Sequence, residues 1–275
     1  MATDWNDCSQ GKNNDKGIRG CTSIINSGGR KERENAYFNR GAAYQTKGDN
    51  DRAIADYDQV IHLNPEAVHA YNNRGVAYNA KGDHDRAIAN YDQAIRLKPE
   101  NDKAYNNRGV SYQRQGDHDR AIADFDQAIR LNPELAKAYE NRGTGHGKKG
   151  NLGRSIADYN QAIRLSPKSA DVYYLRGNAY QKQGDLSRAI ADYDQALRLN
   201  PRAAHAYYKR GNAYQQKGDH DRAIANYDQA LRQNPRSANA YNNRGNAYQK
   251  KGDLDRAIAD YDQALRINPN LSDVA

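Results

Sequence analysis

Residues 68–101 read VHAYNNRGVAYNAKGDHDRAIANYDQAIRLKPEN. Tyr71, Gly75 and Tyr78 are spaced four and three residues apart, which puts them on one face of a helix running from about Val68 to Lys81. The Gly82-Asp83 pair breaks that helix. Glycine accepts the left-handed cap conformation, and aspartate caps whatever helix follows. A second helix spans about Asp85 to Leu97, with Ala87, Ile88, Tyr91, Ala94 and Ile95 turned inward. Pro99 ends it, because proline cannot extend a helix and biases Lys98 toward extended angles. The stretch is a helical hairpin.

The same hairpin is written seven times. Proline occurs only at 65, 99, 133, 167, 201, 235 and 269, always 34 residues apart. One glycine series (41, 75, 109, 143, 177, 211, 245) and a second (48, 82, 116, 150, 184, 218, 252) share the period. A strict period of this length predicts stacked hairpins, each burying its face only against its neighbours. The repeats are 34–67, 68–101, 102–135, 136–169, 170–203, 204–237 and 238–271, preceded by 1–33 and followed by a short tail, 272–275.

Composition fits that plan. The hydrophobic fraction is 37% and the mean hydropathy −1.14, low for a single compact globule of 275 residues but sufficient for a solenoid. Of 21 tyrosines, nineteen occupy three periodic positions, and only Tyr174 and Tyr208 are extra. The aromatic residues therefore belong to the core rather than to a base-stacking platform. A net charge of +8 permits nucleic-acid binding, but acids interrupt the basic residues at nearly every turn, so no single-sign stripe forms and nucleic acid is not an expected partner. No apolar run reaches membrane-spanning length, so membrane insertion is not expected.

The pattern Tyr71, Gly75, Tyr78, Ala87, Tyr91, Ala94 and Pro99 resembles the tetratricopeptide repeat family, and the resemblance extends over residues 34–271. It implies an all-α fold, a right-handed α-solenoid (superhelix) of antiparallel helix pairs. It also implies a non-enzymatic scaffold that binds protein or peptide segments and needs no cofactor. One position departs from the family pattern. Its usual leucine is arginine at 40, 74, 108, 142, 176, 210 and 244. Sixteen residues later stand Asp56, Asp124, Asp158, Asp192 and Asp260, or Asn90 and Asn226. We expect an arginine-to-acid pair between the two helices of each repeat.

In this family the first helix of each repeat lines a concave groove. The corresponding positions here are rich in asparagine: Asn39, Asn73, Asn107, Asn141 and Asn243 at one position, with Leu175 and Lys209 interrupting the series. Asn72, Asn106 and Asn242 stand at the neighbouring position with Tyr174 and Tyr208, and Asn178, Asn212 and Asn246 at a third. An asparagine amide both donates and accepts, so a ladder of them could satisfy the main chain of an extended peptide or serve simply as a polar lining. The lining also carries Lys103, Arg114, Lys137, Lys148, Lys182, Lys209 and Lys250 against Glu140 and Asp171. This balance favours an acidic ligand. Tyr174, Tyr208 and Leu175 are expected to form the groove's apolar spot. The lysine set with which chaperone-binding members clamp a terminal carboxylate is not reproduced.

Repeat 4 is the odd copy. It carries Gly145, Gly147 and Gly153, with His146 in place of tyrosine and Ser155 in place of alanine. Each helical glycine costs about 1 kcal/mol relative to alanine. The repeat is therefore either a hinge or a drifted copy in a redundant array.

The residues before the repeats also follow the pattern. Residues 14–26 align with 50–62, placing Ile18 on Ile54, Cys21 on Tyr57 and Ile25 on Ile61. The segment 1–33 is read as a degenerate half-repeat cap, with 14–27 as its second helix and 3–10 as a stub of its first. Cys8 and Cys21 lie where the two halves of that cap would touch. They are expected either to form a disulfide, which implies a bacterial periplasmic or secreted protein, or to remain reduced in a cytoplasmic one. No leader peptide is read at the start. At the other end no polar helix follows Pro269, so either the array is cut short there or the face of the last helix around Ile258, Tyr261 and Leu265 docks another molecule, including a second copy.

Other chemistry is not found. His84, His118 and His220 share one loop position and read as solvent-facing helix-start residues rather than metal ligands. The many Asp-x-Asp and related acidic strings of the second helices belong to the repeat consensus, which argues against catalytic carboxylates, and they are expected on the convex side. Two function classes remain: a peptide-binding scaffold that works through the groove, and a self-assembling module that works through the last helix.

Overall fold

The computed structural model describes residues 6–8 and 14–270. Residues 6–8 are helical. The remainder of the stub expected over 3–10 and the tail 272–275 lie outside the described residues. The chain divides into two compact units, Met1–Ala138 and Tyr139–Ala275.

The first unit holds α1 (Asn14–Ser27), α2 (Arg30–Thr46), α3 (Asn50–Leu63), α4 (Val68–Ala80), α5 (His84–Leu97), α6 (Asp102–Arg114) and α7 (His118–Leu131). The next helix, α8 (Ala136–Lys148), contains the division point. The second unit continues with α9 (Leu152–Leu165), α10 (Ala170–Lys182), α11 (Leu186–Leu199), α12 (Ala204–Gln216), α13 (His220–Gln233), α14 (Ala238–Lys250) and α15 (Leu254–Ile267). The described residues form no strand. Within each unit consecutive helices pack in pairs and each pair packs on the next, so the fold is an all-α solenoid of antiparallel helix pairs.

The turn between α4 and α5 shows why the hairpin forms. Gly82 has φ of +82°, a conformation that side chains resist. The Gly82 N–H donates to Asn79 at 3.1 Å and the Asp83 N–H to Tyr78 at 3.0 Å, closing the helix end. The Asp83 carboxylate then accepts from the Arg86 N–H at 3.0 Å and caps α5. The Arg86 guanidinium lies 4.6 Å from the centre of the Tyr78 ring, which ties the turn to both helices. At the far end Lys98 is extended (φ −142°, ψ 91°), as the following proline requires.

The other glycine series permits close approach. A Cβ on Gly75 would stand 2.6 Å from the Tyr91 ring, so only glycine lets α4 and α5 meet there. Tyr57, Tyr91, Phe125, Tyr193 and Tyr227 are fully buried at this contact, each flanked by buried alanines.

The arginine pairs are present in both units. Arg40, Arg108, Arg176 and Arg244 each grip their acid sixteen residues on with two bonds of 2.6–2.9 Å. Arg74 and Arg210 donate to Asn90 and Asn226 at 2.7 Å instead. These pairs hold Arg40 and Arg176 charged beyond their ordinary range, because the bound carboxylate outweighs burial.

The last acid of the Asp/Asn-x-Asp string on the second helices also makes a contact between repeats. Arg74 donates to Asp58, Arg108 to Asp92, Arg210 to Asp194 and Arg244 to Asp228, each tying one repeat to the one before it. One guanidinium thus bonds both within its repeat and backward to its neighbour.

Cys8 and Cys21 form a disulfide, with Cα atoms 4.7 Å apart. Together with Ile24 and Ala36 they make a small core under α1. No helix among the described residues is long and apolar enough to cross a membrane.

Candidate functional site

The candidate binding surface is the face of the first helices in each repeat. In the first unit it is built by α2, α4 and α6. Here the asparagines bond mostly to one another. Asn107 Nδ2 donates to Asn72 Oδ1 at 3.1 Å across neighbouring repeats, Asn72 Nδ2 to Asn73 Oδ1 at 3.2 Å, and Asn106 Nδ2 to Asn107 Oδ1 at 3.4 Å. Asn106 is buried. Asn39 Nδ2 lies 3.9 Å from Cys8 Sγ. The ladder therefore spends part of its hydrogen-bonding capacity on the scaffold. Lys103 and Arg114 are exposed on this face, and Arg114 also donates to the Asn79 carbonyl at 3.2 Å.

In the second unit the face is built by α8 from Tyr139 onward, α10, α12 and α14. Asn178, Asn212 and Asn246 have a specific task. Each accepts from the phenol of the tyrosine in the following helix: buried Tyr193 at 2.9 Å, buried Tyr227 at 2.8 Å and half-buried Tyr261 at 2.7 Å. Gln181, Gln215 and Gln249 accept from the same hydroxyls. Burial pushes the Tyr193 and Tyr227 phenols far above their ordinary range. Asn243 donates to Asn212 Oδ1 and to Tyr208 Oη, both at 3.0 Å. Asn141 and Asn242 are half-buried on the same surface.

Sequence reasoning missed this tyrosine-to-amide pairing, although its signal was present. The position of Asn178, Asn212 and Asn246 is Thr144 in repeat 4, where it meets the Tyr159 hydroxyl at 3.1 Å. It is Val76 in repeat 2, where the buried Tyr91 hydroxyl has no partner, and Val110 in repeat 3, where the tyrosine itself is replaced by Phe125.

A cavity of about 500 Å³ opens on the second unit's face. Tyr174, Leu175, Asn178, Lys182, Lys209 and Asn212, all assigned to the groove, line it together with Lys148. Tyr208 does not line it. Its ring packs 6.0 Å from that of Tyr227, beside Ala247, so the expected apolar spot is built by Tyr174 and Leu175 without it. Tyr174 is further placed edge-on against His205 at 4.5 Å. Thr144, Gly147, Ser155, Gln181 and Gln216 complete the lining and were not singled out as site residues. Lys250 is exposed at the last repeat of this face, and Lys137 is exposed on α8.

His84, His118 and His220 are half-buried rather than solvent-facing, and His84 Nδ1 lies 2.7 Å from Asn79 Oδ1. No group of His, Cys, Asp or Glu among the described residues could hold a metal ion. In repeat 4, α8 runs unbroken through Gly143, Gly145 and Gly147. His146 is buried there, with Nε2 4.0 Å from Asp158 Oδ2. On α15, Ile258 is 58% and Leu265 40% exposed, Leu254 joins them at 59%, and Tyr261 is half-buried.

Comparison with known proteins places this arrangement. Tetratricopeptide repeat models match residues 38–102, 102–135 and 208–272, and a TPR repeat model matches 146–184 and 177–218. No curated protein sequence matches the chain. Among solved structures, MamA is 28% identical with a TM-score of 0.57, over 60% of this chain and 96% of MamA. YrrB, described as a TPR protein with an unusual peptide-binding site, is 24% identical with a TM-score of 0.57, over 66% of this chain and 94% of YrrB. PilF of Pseudomonas aeruginosa is 20% identical with a TM-score of 0.68, over 81% of this chain and 98% of PilF.

Proposed function

The chain belongs to the tetratricopeptide repeat family, and from that premise we propose that it is a non-enzymatic scaffold holding an extended, acidic segment of a partner protein on its first-helix faces. The observation that carries this reading is electrostatic. Lys148, Lys182, Lys209 and Lys250 lie on one face of the second unit, and none of them has an ion-pair partner among the described residues, whereas lysines elsewhere do, as Lys81 with Asp51 and Lys251 with Asp221. Unpaired cations on a recognition face draw an anionic partner toward it and select against a basic one.

Two further observations support the same reading. Tyr174 and Leu175 provide an apolar contact among the lysines, as a peptide side chain needs. YrrB is described as binding peptide at an unusual site, and the same use is proposed for this chain. The Cys8–Cys21 bridge supports work in an oxidising compartment, a bacterial periplasm or the exterior.

The test is fluorescence anisotropy with length-matched acidic and basic peptide pools, at low and high salt. Binding of the acidic pool that weakens with salt, and is lost in the Lys182→Glu/Lys209→Glu chain, is the expected result. A preference for the basic pool, or for single-stranded RNA used as a competitor, would reject it.

A second reading rests on α15. Leu254, Ile258 and Leu265 are the exposed large hydrophobic residues among those described. The sibling isoleucines Ile190 and Ile224, in the register of Ile258, are each 9% exposed beneath the next repeat. This face therefore fits the first helix of such a repeat, and we propose that a second copy of the chain occupies it. Light-scattering mass that rises with concentration, and falls back to one chain in Ile258→Asp, is the expected outcome. One chain at every concentration removes this reading.

A further inference from the structure

We propose that the cavity beside Gly147 is an anchor subsite for a single acidic side chain, Asp or Glu, of the bound partner polypeptide. The inference rests on the peptide-binding reading above and names what that face selects.

The cavity exists because one repeat lacks a side chain its siblings carry. Gly147 occupies the register of Gln45, Gln113, Gln181, Gln215 and Gln249. In four of those copies the glutamine fills the space by accepting from the tyrosine of the second helix: Tyr57, Tyr193, Tyr227 or Tyr261. In repeat 4 there is no such side chain. A Cβ placed on Gly147 would meet only Ser155, with Oγ at 3.1 Å and Cβ at 3.8 Å. Beyond Ser155 the space is open, and it is the 500 Å³ cavity.

The floor of this opening is polar. Ser155 stands where the six other repeats have alanine, at Ala53, Ala87, Ala121, Ala189, Ala223 and Ala257. It is 1% exposed, and its hydroxyl makes no hydrogen bond of normal geometry. The neighbouring Tyr159 phenol is engaged by Thr144 Oγ1 at 3.1 Å. The Ser155 hydroxyl also acts on the Tyr159 phenol and is covered by the packing around it, so with Thr144 and Tyr159 it makes the floor polar rather than apolar.

The rim is cationic. Lys148, Lys182 and Lys209 come from three successive first helices and line one cavity. None has an ion-pair partner among the described residues, and no Asp or Glu is among the lining residues. Three like charges converge on an opening whose lining holds no acid, and Glu140, which acts on Tyr159 from beside it, is one charge against three, so the protein leaves most of that charge to its ligand. Tyr174 and Leu175 form the apolar wall along which the methylene stem of an acidic side chain would lie. Cations at the rim, an apolar wall and a polar floor together describe a receptor for a short stem ending in a carboxylate.

The test is a random-heptapeptide display selection run in parallel on the wild-type chain, on Gly147→Gln/Ser155→Ala and on Lys182→Gln/Lys209→Gln. The first variant restores the residues of the sibling repeats and removes a helical glycine, so it keeps the fold. A thermal melt at or above the wild type verifies that. The expected result is one strongly enriched acidic position on the wild type that disappears on both variants. The selected peptide should then bind Gly147→Gln/Ser155→Ala about tenfold or more weakly. The same acidic position on wild type and on Gly147→Gln/Ser155→Ala would overturn the subsite while leaving the acidic groove standing. Enriched peptides without an acidic position would overturn the acid specificity of both. No enrichment on any chain would remove the peptide-binding reading and the subsite together.

Discussion

Arg108 holds Asp124 with two near-parallel hydrogen bonds, Nε to Oδ2 at 2.8 Å and Nη2 to Oδ1 at 2.7 Å. Its third nitrogen, Nη1, reaches back 2.6 Å to Asp92 of the preceding repeat. Asp124 is 6% exposed, so it cannot find water if the guanidinium is removed. Arg108→Ala should therefore destabilise the chain by about 3–5 kcal/mol in urea denaturation, the cost of an uncompensated buried charge. Replacing both partners, as in Arg108→Leu/Asp124→Ala, should recover most of that loss. A single variant that costs no more than the pair would show that the contact carries little.

The tyrosine hydroxyls give a contrast between otherwise equivalent positions. Tyr91 Oη is buried without a partner, whereas Tyr227 Oη bonds to both Asn212 and Gln215. Tyr91→Phe should be neutral or stabilising by up to about 1 kcal/mol, since it removes an unsatisfied group. Tyr227→Phe should cost about 1 kcal/mol or more. Paired denaturation curves compare the two, and Phe125 is the natural precedent for the first.

Alkaline pH should unfold the chain through the same residues. Burial raises the Tyr57 phenol from an ordinary 10.0 to about 12. The folded state therefore keeps its proton while the unfolded state gives it up. The corresponding stability is fully present below pH 10 and is lost as pH rises toward about 12. A rise of that size corresponds to about 2–3 kcal/mol for this residue alone. Tyr91, Tyr193 and Tyr227 are raised in the same direction for the same reason, so the loss is cumulative. Helical circular dichroism followed from pH 8 upward is the measurement, and full helicity well above pH 12 would contradict it.

The Cys8–Cys21 bridge should stabilise the small core formed with Ile24 and Ala36. A closed loop of this size contributes about 3 kcal/mol. Cys8→Ser/Cys21→Ser should speed hydrogen exchange of α1 while leaving the amides of α13 unchanged, because a solenoid transmits stability mainly between neighbours.

How far the sequence could be read depended on whether a feature repeats. Gly75, Gly82 and Pro99 each have one local physical meaning, and recurrence every 34 residues removes the ambiguity that a single glycine or proline would leave. The pairing of Arg40 with Asp56 was legible for the same reason, since the two types recur together sixteen residues apart. Arg74 with Asp58 was not, because that bond crosses between repeats and no single repeat contains both partners in bonding order. The asparagine positions were legible as a surface, but how their hydrogen bonds divide was not. Asn178 and Asn243 look alike in sequence, yet the first accepts from buried Tyr193 and the second donates to Tyr208.

Periodicity and the turn residues by themselves determined the helical hairpin, its number of copies and its stacking, because those follow from backbone angles and one-face burial that each repeat encodes locally. Only the tertiary structure decided which side chains meet between helices and between repeats: the backward reach of the arginines, the tyrosine partners, and the cavity that Gly147 leaves beside Ser155 and three lysines. Those contacts join residues whose distances depend on how neighbouring helices pack, and a glycine in a sequence does not say whether the space it vacates will be filled.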